Sequence, residues 1–156
     1  GDFDAYGITG TALLADRLEN LCAHIVPYIP HRVREGHGLS SQAVNTLCNE
    51  GVTLIVTVDC GITSSSEVDE ATLLGKDTII TDHHTPLANL TYAAAIVNPK
   101  LGWSRYSFPN LAGVGLAFKL IQCLYQHMHR HWGEKLLQFA ALGTVTNVTL
   151  LVCENR

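Results

Sequence analysis

Helical and strand-like spacings of hydrophobic residues alternate along the chain. Apolar positions three to four residues apart indicate the buried face of a helix. In the first such stretch leucines recur at helical spacing, and Thr9 or Thr11 could serve as the N-cap. In the second, Ser40 or Ser41 precedes the apolar positions and Gly51 follows them. The pattern predicts helices at about residues 9–22, 40–48, 65–74, 111–131 and 133–141.

Short runs rich in β-branched residues lie between the helical stretches and predict strands. The run over 52–58 is apolar on both faces, which is typical of a buried parallel strand. Similar runs cover 78–81 and 93–97. Residues 24–29 form a further extended run, in which Pro27 indicates an edge position or a strand end. Strands that alternate with helices predict a parallel α/β sheet covered on both faces, which is a three-layer α/β fold.

The beginning of the chain does not match this pattern. An α/β unit normally opens with a strand, whereas the first predicted helix follows Gly1 by only a few residues. We therefore expect residues 1–4 to be the end of a truncated first strand, and the chain to be a fragment of a longer one. Its 156 residues predict a single domain, 1–156, with a core that buries roughly 70% of the unfolded surface.

Composition and charge narrow the class of protein. An apolar fraction of 47% with 15% charged residues excludes a disordered chain, and no apolar run approaches the roughly 20 residues that span a membrane. The five cysteines are widely spaced without a Cys-x-x-Cys pair, which excludes a zinc finger or a disulfide scaffold and predicts reduced thiols in the cytoplasm. A net charge of −4 gives no overall attraction for nucleic acid, so a polyanion would need a local cluster or a metal ion.

Acidic and histidine side chains collect where the predicted strands end. Because the carboxyl ends of parallel strands meet at one edge of a sheet, these side chains should converge. Carboxylate and imidazole together suit Mg²⁺, Mn²⁺ or Zn²⁺, and a carboxylate shared by two ions is typical of phosphoester hydrolysis. The alternative is that each aspartate only caps the next helix. The side chains at the three strand ends are Asp2 and Asp4, then Asp59, then Asp82, His83 and His84.

Several segments of the chain resemble known motifs. Four of them are similar to the motifs of the DHH phosphoesterases: GDFDAYG at 1–7, VDCG at 58–61, TDHH at 81–84 and LGTVTNV at 142–148. Four more resemble the RecJ branch of that family: IPHR at 29–32, GHGLS at 36–40, IVNP at 96–99 and LAGVG at 111–115. This resemblance implies a DHH domain with metal-dependent 5′→3′ exonuclease activity on single-stranded DNA, using Mn²⁺ or Mg²⁺ and an attacking water.

The resemblance also implies roles for individual metal-binding residues. Asp4 would be a ligand of one metal ion, and His83 would be a ligand of a second. Asp59 would bridge the two ions. These roles carry over because each residue stands at the matching position of the family's motif.

Three further residues would act on the substrate. His84 would contact the scissile phosphate. Asp82 would orient an imidazole by accepting its hydrogen bond. Arg32 would bind a substrate phosphate, to which the guanidinium fork is suited.

Two positions depart from the family's motifs. The second aspartate of Asp-x-Asp in the first motif is replaced by Tyr6, and the liganding aspartate of the fourth motif is replaced by Asn147. A neutral amide is a weak ligand, and a phenol loses its proton only near pH 10. Asp2 could substitute, because it lies on the same strand face as Asp4. We therefore predict an impaired site that binds one ion or none.

Other readings of function stay open. RecJ-type enzymes close their site with a following DHHA1 domain and hold single strands with an OB-fold, and neither fits into 156 residues. The chain alone is therefore expected to bind single-stranded DNA weakly, with a missing domain or a protein partner completing it. One alternative is a catalytically inactive DHH binding or scaffold domain. Another is a phosphoesterase that acts on a small nucleotide or pyrophosphate.

Overall fold

A sheet of three parallel strands lies at the centre of the residues that the structure describes, which are 1–21, 23–87, 90–146 and 149–156. In this computed structural model the strands lie in the spatial order β1-β2-β3, at Leu54–Val56 (β1), Asp77–Thr81 (β2) and Ala95–Val97 (β3). The α-helices of the described residues are Ala5–Glu19 (α1), Ser41–Asn49 (α2), Ser65–Leu73 (α3), Gly113–His127 (α4) and Leu136–Thr146 (α5). A short 3₁₀ helix follows at Cys153–Asn155.

Two apolar layers enclose the sheet. Val56 and Val58 pack into a cluster with buried side chains of α1, α4 and α5. Ile55 belongs to a second cluster, which contains residues of α2 and α3. Neighbouring residues of a strand point to opposite faces, so β1 is covered on both sides. The predicted three-layer α/β fold is confirmed.

The strand pairing brings the ends of β1 and β2 side by side. Ile55 lies opposite Thr78 in the parallel register. The ladder continues past the last residue of β1, because the amide of Asp59 donates to the Thr81 carbonyl at 2.9 Å. The amide of Asp82 donates in turn to a carbonyl of β3. The two aspartates that follow these strands are therefore held at one edge of the sheet.

Helix α1 begins earlier than the hydrophobic spacing predicts, and the prediction of a threonine cap is wrong. Asp4 is the N-cap, and its carboxylate accepts the amide hydrogen of Gly7 at 3.0 Å. Thr9 lies inside the helix, where its hydroxyl donates to the Ala5 carbonyl. A carboxylate caps well because the first amides of a helix lack partners and carry partial positive charge. Capping thus holds the Asp4 side chain at the start of α1.

The other predicted helices and the strands predicted at 52–58, 78–81 and 93–97 are confirmed in type. Helix α4 and strands β1 and β3 are shorter than predicted, whereas α5 lies a few residues later and β2 is one residue longer. Ser40 caps α2 by accepting the amide hydrogen of Ala43 at 3.1 Å. The described residues of 24–29 are not in a strand, and neither are residues 1–4. The Asp2 amide nevertheless donates to the Val58 carbonyl at 3.1 Å, so the start of the chain lies along the free edge of β1. Among the described residues, no helix is both long and apolar enough to cross a membrane.

Candidate metal centre

Asp59 stands at the centre of the candidate site, in an unusual backbone conformation. Its φ is 61°, in the left-handed region that costs a non-glycine residue about 1–3 kcal/mol. The turn is held by Thr57, whose hydroxyl donates to the Cys60 carbonyl at 2.7 Å and accepts the amide hydrogen of Thr81 at 3.2 Å. Gly61 follows at φ 106°, where a Cβ would lie 2.9 Å from the Thr57 hydroxyl oxygen. These contacts fix the direction of the Asp59 side chain.

The Asp59 carboxylate is buried without a hydrogen-bond donor among the described residues. Its side chain is 1% exposed, and neither oxygen accepts a hydrogen bond of acceptable geometry. The nearest basic atom is Nε2 of His83, at 3.1 Å from Oδ1. Burial raises the pKa of Asp59 to about 6, and the neighbouring imidazole opposes that shift. A buried carboxylate with free lone pairs is a suitable ligand for a cation.

The hydrogen bonding of His83 prepares its other ring nitrogen to bind a metal. Nδ1 lies 3.1 Å from the Leu111 carbonyl, which can only accept, so the proton is assigned to Nδ1. In the neutral ring Nε2 then carries a lone pair, at 3.1 Å from Oδ1 of Asp59. Two lone pairs at this distance repel each other unless a proton or a cation lies between them. This is the tautomer that metal-binding histidines use.

His84 and Asp82 form a second, differently arranged pair. Both the amide nitrogen and Nδ1 of His84 bond to Oδ1 of Asp82, at 3.0 and 2.7 Å. Oδ2 accepts the amide hydrogen of Ile62 at 3.0 Å. Although burial opposes it, this hydrogen bonding holds the pKa of Asp82 below its usual value. The bond to Asp82 raises the pKa of His84, whose side chain is 56% exposed.

Two groups of three potential ligands share the Asp59 carboxylate. One consists of Asp2, Asp4 and Asp59, and the other of Asp59, His83 and His84. Within each group the ligand atoms lie within 4.8 Å of one another. Carboxylates and imidazoles in this number suit Mn²⁺ or Mg²⁺. The donor set therefore fits two neighbouring cations with one common carboxylate.

Asp2 already has partners on both oxygens. Oδ1 accepts the amide hydrogen of Phe3 at 2.7 Å, and Oδ2 lies 3.1 Å from Nδ1 of His37. The side chain is nevertheless buried, unlike the exposed His37 imidazole. These contacts hold the Asp2 carboxylate beside those of Asp4 and Asp59.

Tyr6 lies beside the second group of ligands but is a poor ligand itself. Its ring meets His83 edge-on, with centroids 5.4 Å apart, and its side chain is buried. Burial, with added repulsion from Asp59 and Asp4, raises the pKa of the phenol. The hydroxyl therefore stays neutral. Asn147, the other departure from the motifs, lies outside the described residues.

Arg32 is outside both groups of ligands. Its guanidinium carbon lies 5.3 Å from the centroid of the Phe3 ring, and that ring also contacts His37 at 4.4 Å between centroids. Arg32 is exposed. Because Phe3 lies between Asp2 and Asp4 in the chain, Arg32 contacts the segment that carries these two aspartates.

Two further residues shape the site through contacts that the sequence pattern does not reveal. The role of Thr57 depends on contacts with residues at the end of β2, and the signal for it was a polar residue within an apolar strand. Gly113, at the start of α4, is required by close approach, because a Cβ there would overlap the Asp59 carboxylate. Gly113 belongs to the motif at 111–115, but its partner Asp59 is 54 residues away in sequence.

Comparisons with known proteins agree with this geometry. Residues 1–144 match the model of the DHH family, N-terminal domain. The whole chain is 43% identical to the single-stranded-DNA-specific exonuclease RecJ of Bacillus subtilis and 40% identical to that of Escherichia coli. It covers 19% and 29% of these relatives. The chain therefore spans less than a third of the curated relatives it matches.

Two crystal structures resemble the fold closely. The exonuclease RecJ bound to manganese has a TM-score of 0.89 and 37% sequence identity, with all of this chain and 40% of that chain aligned. RecJ of Thermus thermophilus in complex with Mn²⁺ has a TM-score of 0.82 and 34% identity, with 22% of that chain covered. The α/β architecture and the resemblance noted from the motifs are confirmed.

Proposed function

Because this chain belongs to the DHH family, we propose that residues 1–156 form one DHH domain of a RecJ-like exonuclease. The proposed reaction is hydrolysis of phosphodiester bonds in single-stranded DNA with Mn²⁺ or Mg²⁺. The observation that carries the proposal is the buried Asp59 carboxylate, which has no hydrogen-bond donor among the described residues and is shared by two groups of ligands. The RecJ relatives and their manganese-bound structures support it.

The proposed metal ligands are Asp4, Asp59 and His83, with Asp59 between two ions. Support comes from the two groups of ligands and from Nε2 of His83, which lies 3.1 Å from Oδ1 of Asp59. When bound, a divalent cation supplies Lewis-acid polarisation of a phosphoryl oxygen and lowers the pKa of water. The turn held by Thr57 keeps the Asp59 carboxylate in its orientation.

His84 is proposed to donate a hydrogen bond to the scissile phosphate. Asp82 occupies Nδ1, so Nε2 is the ring nitrogen available to a substrate. We assign Nε2 to the phosphate because the side chain is half exposed and its pKa is raised, which favours the protonated, donating ring. Asp82 is then the positioning residue that fixes the imidazole.

Arg32 is proposed to hold a second phosphate of the strand. Its guanidinium lies against Phe3, next in the chain to Asp2 and Asp4, and it is exposed. The fork of N–H donors on this guanidinium suits a phosphate that approaches the metal centre.

A reduced affinity for the second ion is also proposed. Tyr6 offers a neutral, buried phenol beside His83 where the family's motif has an aspartate. This observation favours a second candidate function, a DHH domain that binds a metal ion and single-stranded DNA without cleaving it. We further propose a cytoplasmic location, which agrees with the free thiols of the four described cysteines.

The test combines metal binding with nuclease activity. Isothermal titration with Mn²⁺ is performed on the wild-type chain, on Asp59→Asn and on Asp69→Asn, an exposed aspartate of α3 as the matched control. The same proteins are incubated with a 5′-phosphorylated single-stranded oligonucleotide and Mn²⁺, with and without EDTA. We expect Mn²⁺ binding that Asp59→Asn abolishes and Asp69→Asn retains.

The outcomes separate the candidates. Cleavage that is lost with EDTA and in Asp59→Asn supports an exonuclease domain. Binding of Mn²⁺ and oligonucleotide without cleavage supports the inactive binding domain. A folded wild-type chain that binds no Mn²⁺ at millimolar concentration contradicts the metal centre, and both candidates with it.

A further inference from the structure

The buried side chain of Asn155 forms hydrogen bonds with the segment that leads into α4. Its Oδ1 accepts the amide hydrogen of Ala112 at 3.0 Å. Its Nδ2 donates to the carbonyls of Asn110, at 2.8 Å, and of Leu150, at 3.3 Å. An amide group that faces one N–H and two carbonyls has a single orientation that satisfies all three partners. Asn155 is therefore fixed against the start of α4.

Helix α4 depends on this contact because its own residues cannot cap it. The N-cap is Ala112, whose side chain cannot accept a hydrogen bond. The third residue of a helix often bonds back to the N-cap amide, but here that residue is Gly115, which has no side chain. Asn155 makes this bond from 43 residues away in sequence. It thereby holds the end of α4 at which Gly113 packs against the Asp59 carboxylate.

The peptide group between Leu111 and Ala112 is bonded on both sides. Its N–H donates to Asn155, and its carbonyl oxygen lies 3.1 Å from Nδ1 of His83. Leu111 and Ala112 are both buried, so water does not compete for these bonds. Hydrogen bonds in a chain polarise one another, so an acceptor on the N–H makes the carbonyl a stronger acceptor. The peptide therefore connects the Asn155 amide to the His83 ring.

Two acceptors compete for the proton of a neutral His83 ring. The Leu111 carbonyl lies 3.1 Å from Nδ1, and Oδ1 of Asp59 lies 3.1 Å from Nε2. A proton on Nδ1 leaves the lone pair of Nε2 for a metal ion, whereas a proton on Nε2 blocks that nitrogen. A group that fixes and polarises the Leu111 carbonyl therefore favours the tautomer that can bind metal.

The segment that carries Asn155 is tied to α4 a second time. Oε2 of Glu154 accepts the hydroxyl hydrogen of Tyr106 at 2.7 Å and lies 2.7 Å from Nζ of Lys119. Lys119 belongs to α4. Contacts from two consecutive residues to one helix restrict how far Asn155 can move away from the helix start.

We propose that Asn155 is a positioning residue for His83, which acts through the peptide between Leu111 and Ala112. It fixes the carbonyl that receives the Nδ1 hydrogen and so keeps Nε2 available. The consequence for metal binding rests on the proposed function. The effect on the ring exists without a metal ion, so the two are measured separately.

The test compares three variants with wild type. Asn155→Leu removes all three hydrogen bonds with little change in size. Asn155→Asp keeps an acceptor for the Ala112 amide but places a carboxylate oxygen against two carbonyls, which lowers stability without removing the bond to the peptide. Tyr125→Phe is the matched control, because it removes the hydrogen bond from the Tyr125 hydroxyl to the Arg17 carbonyl at the other end of α4.

The position of the proton is measured from the ¹⁵N chemical shifts of the His83 ring, in EDTA at about pH 8.5, well above the ordinary histidine pKa of about 6.5. We expect a protonated Nδ1 in wild type, in Asn155→Asp and in Tyr125→Phe, and transfer of that proton to Nε2 in Asn155→Leu. Titration calorimetry should show Mn²⁺ binding at least about tenfold weaker in Asn155→Leu than in wild type. Thermal denaturation should show a lower Tm in all three variants, which separates the change in the ring from a loss of stability.

Several outcomes would overturn the proposal. An unprotonated Nδ1 in wild type would do so whether or not any variant folds. An unchanged ring in folded Asn155→Leu, or the same change in Tyr125→Phe, would show that the bond to the peptide does not control the ring. If the ring responds as expected but wild type binds no Mn²⁺ at millimolar concentration, the proposed function fails while the positioning of His83 by Asn155 is supported.

Discussion

Replacing Asp59 by asparagine should stabilise the metal-free protein at neutral pH while it abolishes Mn²⁺ binding. The wild-type carboxylate is 1% exposed, and neither oxygen has a hydrogen-bond donor among the described residues. Its negative charge therefore destabilises the fold unless a cation is bound. Asparagine has nearly the same shape and tolerates the observed φ of 61°. The substitution consequently removes the charge without disturbing the turn.

The magnitude follows from the pKa of Asp59. Burial raises it from 3.8 to about 6, and each unit corresponds to about 1.4 kcal/mol, so the ionised carboxylate costs about 3 kcal/mol. The folded state binds the proton more tightly, so wild-type stability falls as the pH rises from about 4 to about 6, and the full penalty remains above that range. The unpaired asparagine amide costs about 1–2 kcal/mol of this gain, which leaves about 1–2 kcal/mol.

Thermal denaturation in EDTA at pH 4 and pH 7.5 measures this effect. We expect Asp59→Asn to exceed wild type in Tm by several degrees at pH 7.5 and by much less at pH 4. Asp69→Asn, on the surface of α3, should match wild type at both values. Mn²⁺ at one hundred times its Kd should add about 2.7 kcal/mol to wild type and nothing to Asp59→Asn.

The reasoning would be refuted by a variant that is less stable than wild type at pH 7.5 in EDTA. That result would mean that the carboxylate, in its ionised form, is stabilised within the protein itself. A difference in Tm that does not change between the two pH values would equally exclude the charge as its cause.

Three further predictions concern the neighbourhood of the same carboxylate. The double variant Tyr6→Asp, Asn147→Asp should bind Mn²⁺ at least about tenfold more tightly than wild type, since two anionic ligands are gained. Unchanged Mn²⁺ affinity in titration calorimetry would count against the assignment of the metal ligands. Gly113→Ala should lower the free energy of unfolding in urea by about 1–3 kcal/mol and weaken Mn²⁺ binding, because the added Cβ overlaps the Asp59 carboxylate. Wild-type values would show that the start of α4 can shift to accommodate the added Cβ. Arg32→Ala should weaken binding of a single-stranded oligonucleotide, measured by fluorescence anisotropy, without changing Mn²⁺ affinity. Arg34 is also exposed, and an equal loss of oligonucleotide affinity in Arg34→Ala would indicate a general effect of charge instead.

Local patterns in the chain were sufficient for much of the fold. Alternating helical and strand-like runs predict the layers, because the apolar residues on the buried face of a helix and of a strand recur at different spacings. The strand ends at Asp59 and at Asp82–His84 were predicted in the same way, because the carboxyl ends of parallel strands share one edge. The start of α1 was misjudged because Asp4 competes with threonines that have the same capping chemistry.

The sequence by itself therefore determined the α/β class, the edge of the sheet at which the acidic and histidine side chains meet, and the motifs of the family. Only the tertiary structure decided the tautomer, the hydrogen bonding and the packing of those side chains. The His83 tautomer depends on the Leu111 carbonyl, 28 residues away, and the packing against Asp59 depends on Gly113. Such features arise from contacts between distant residues, which no local spacing along the chain encodes.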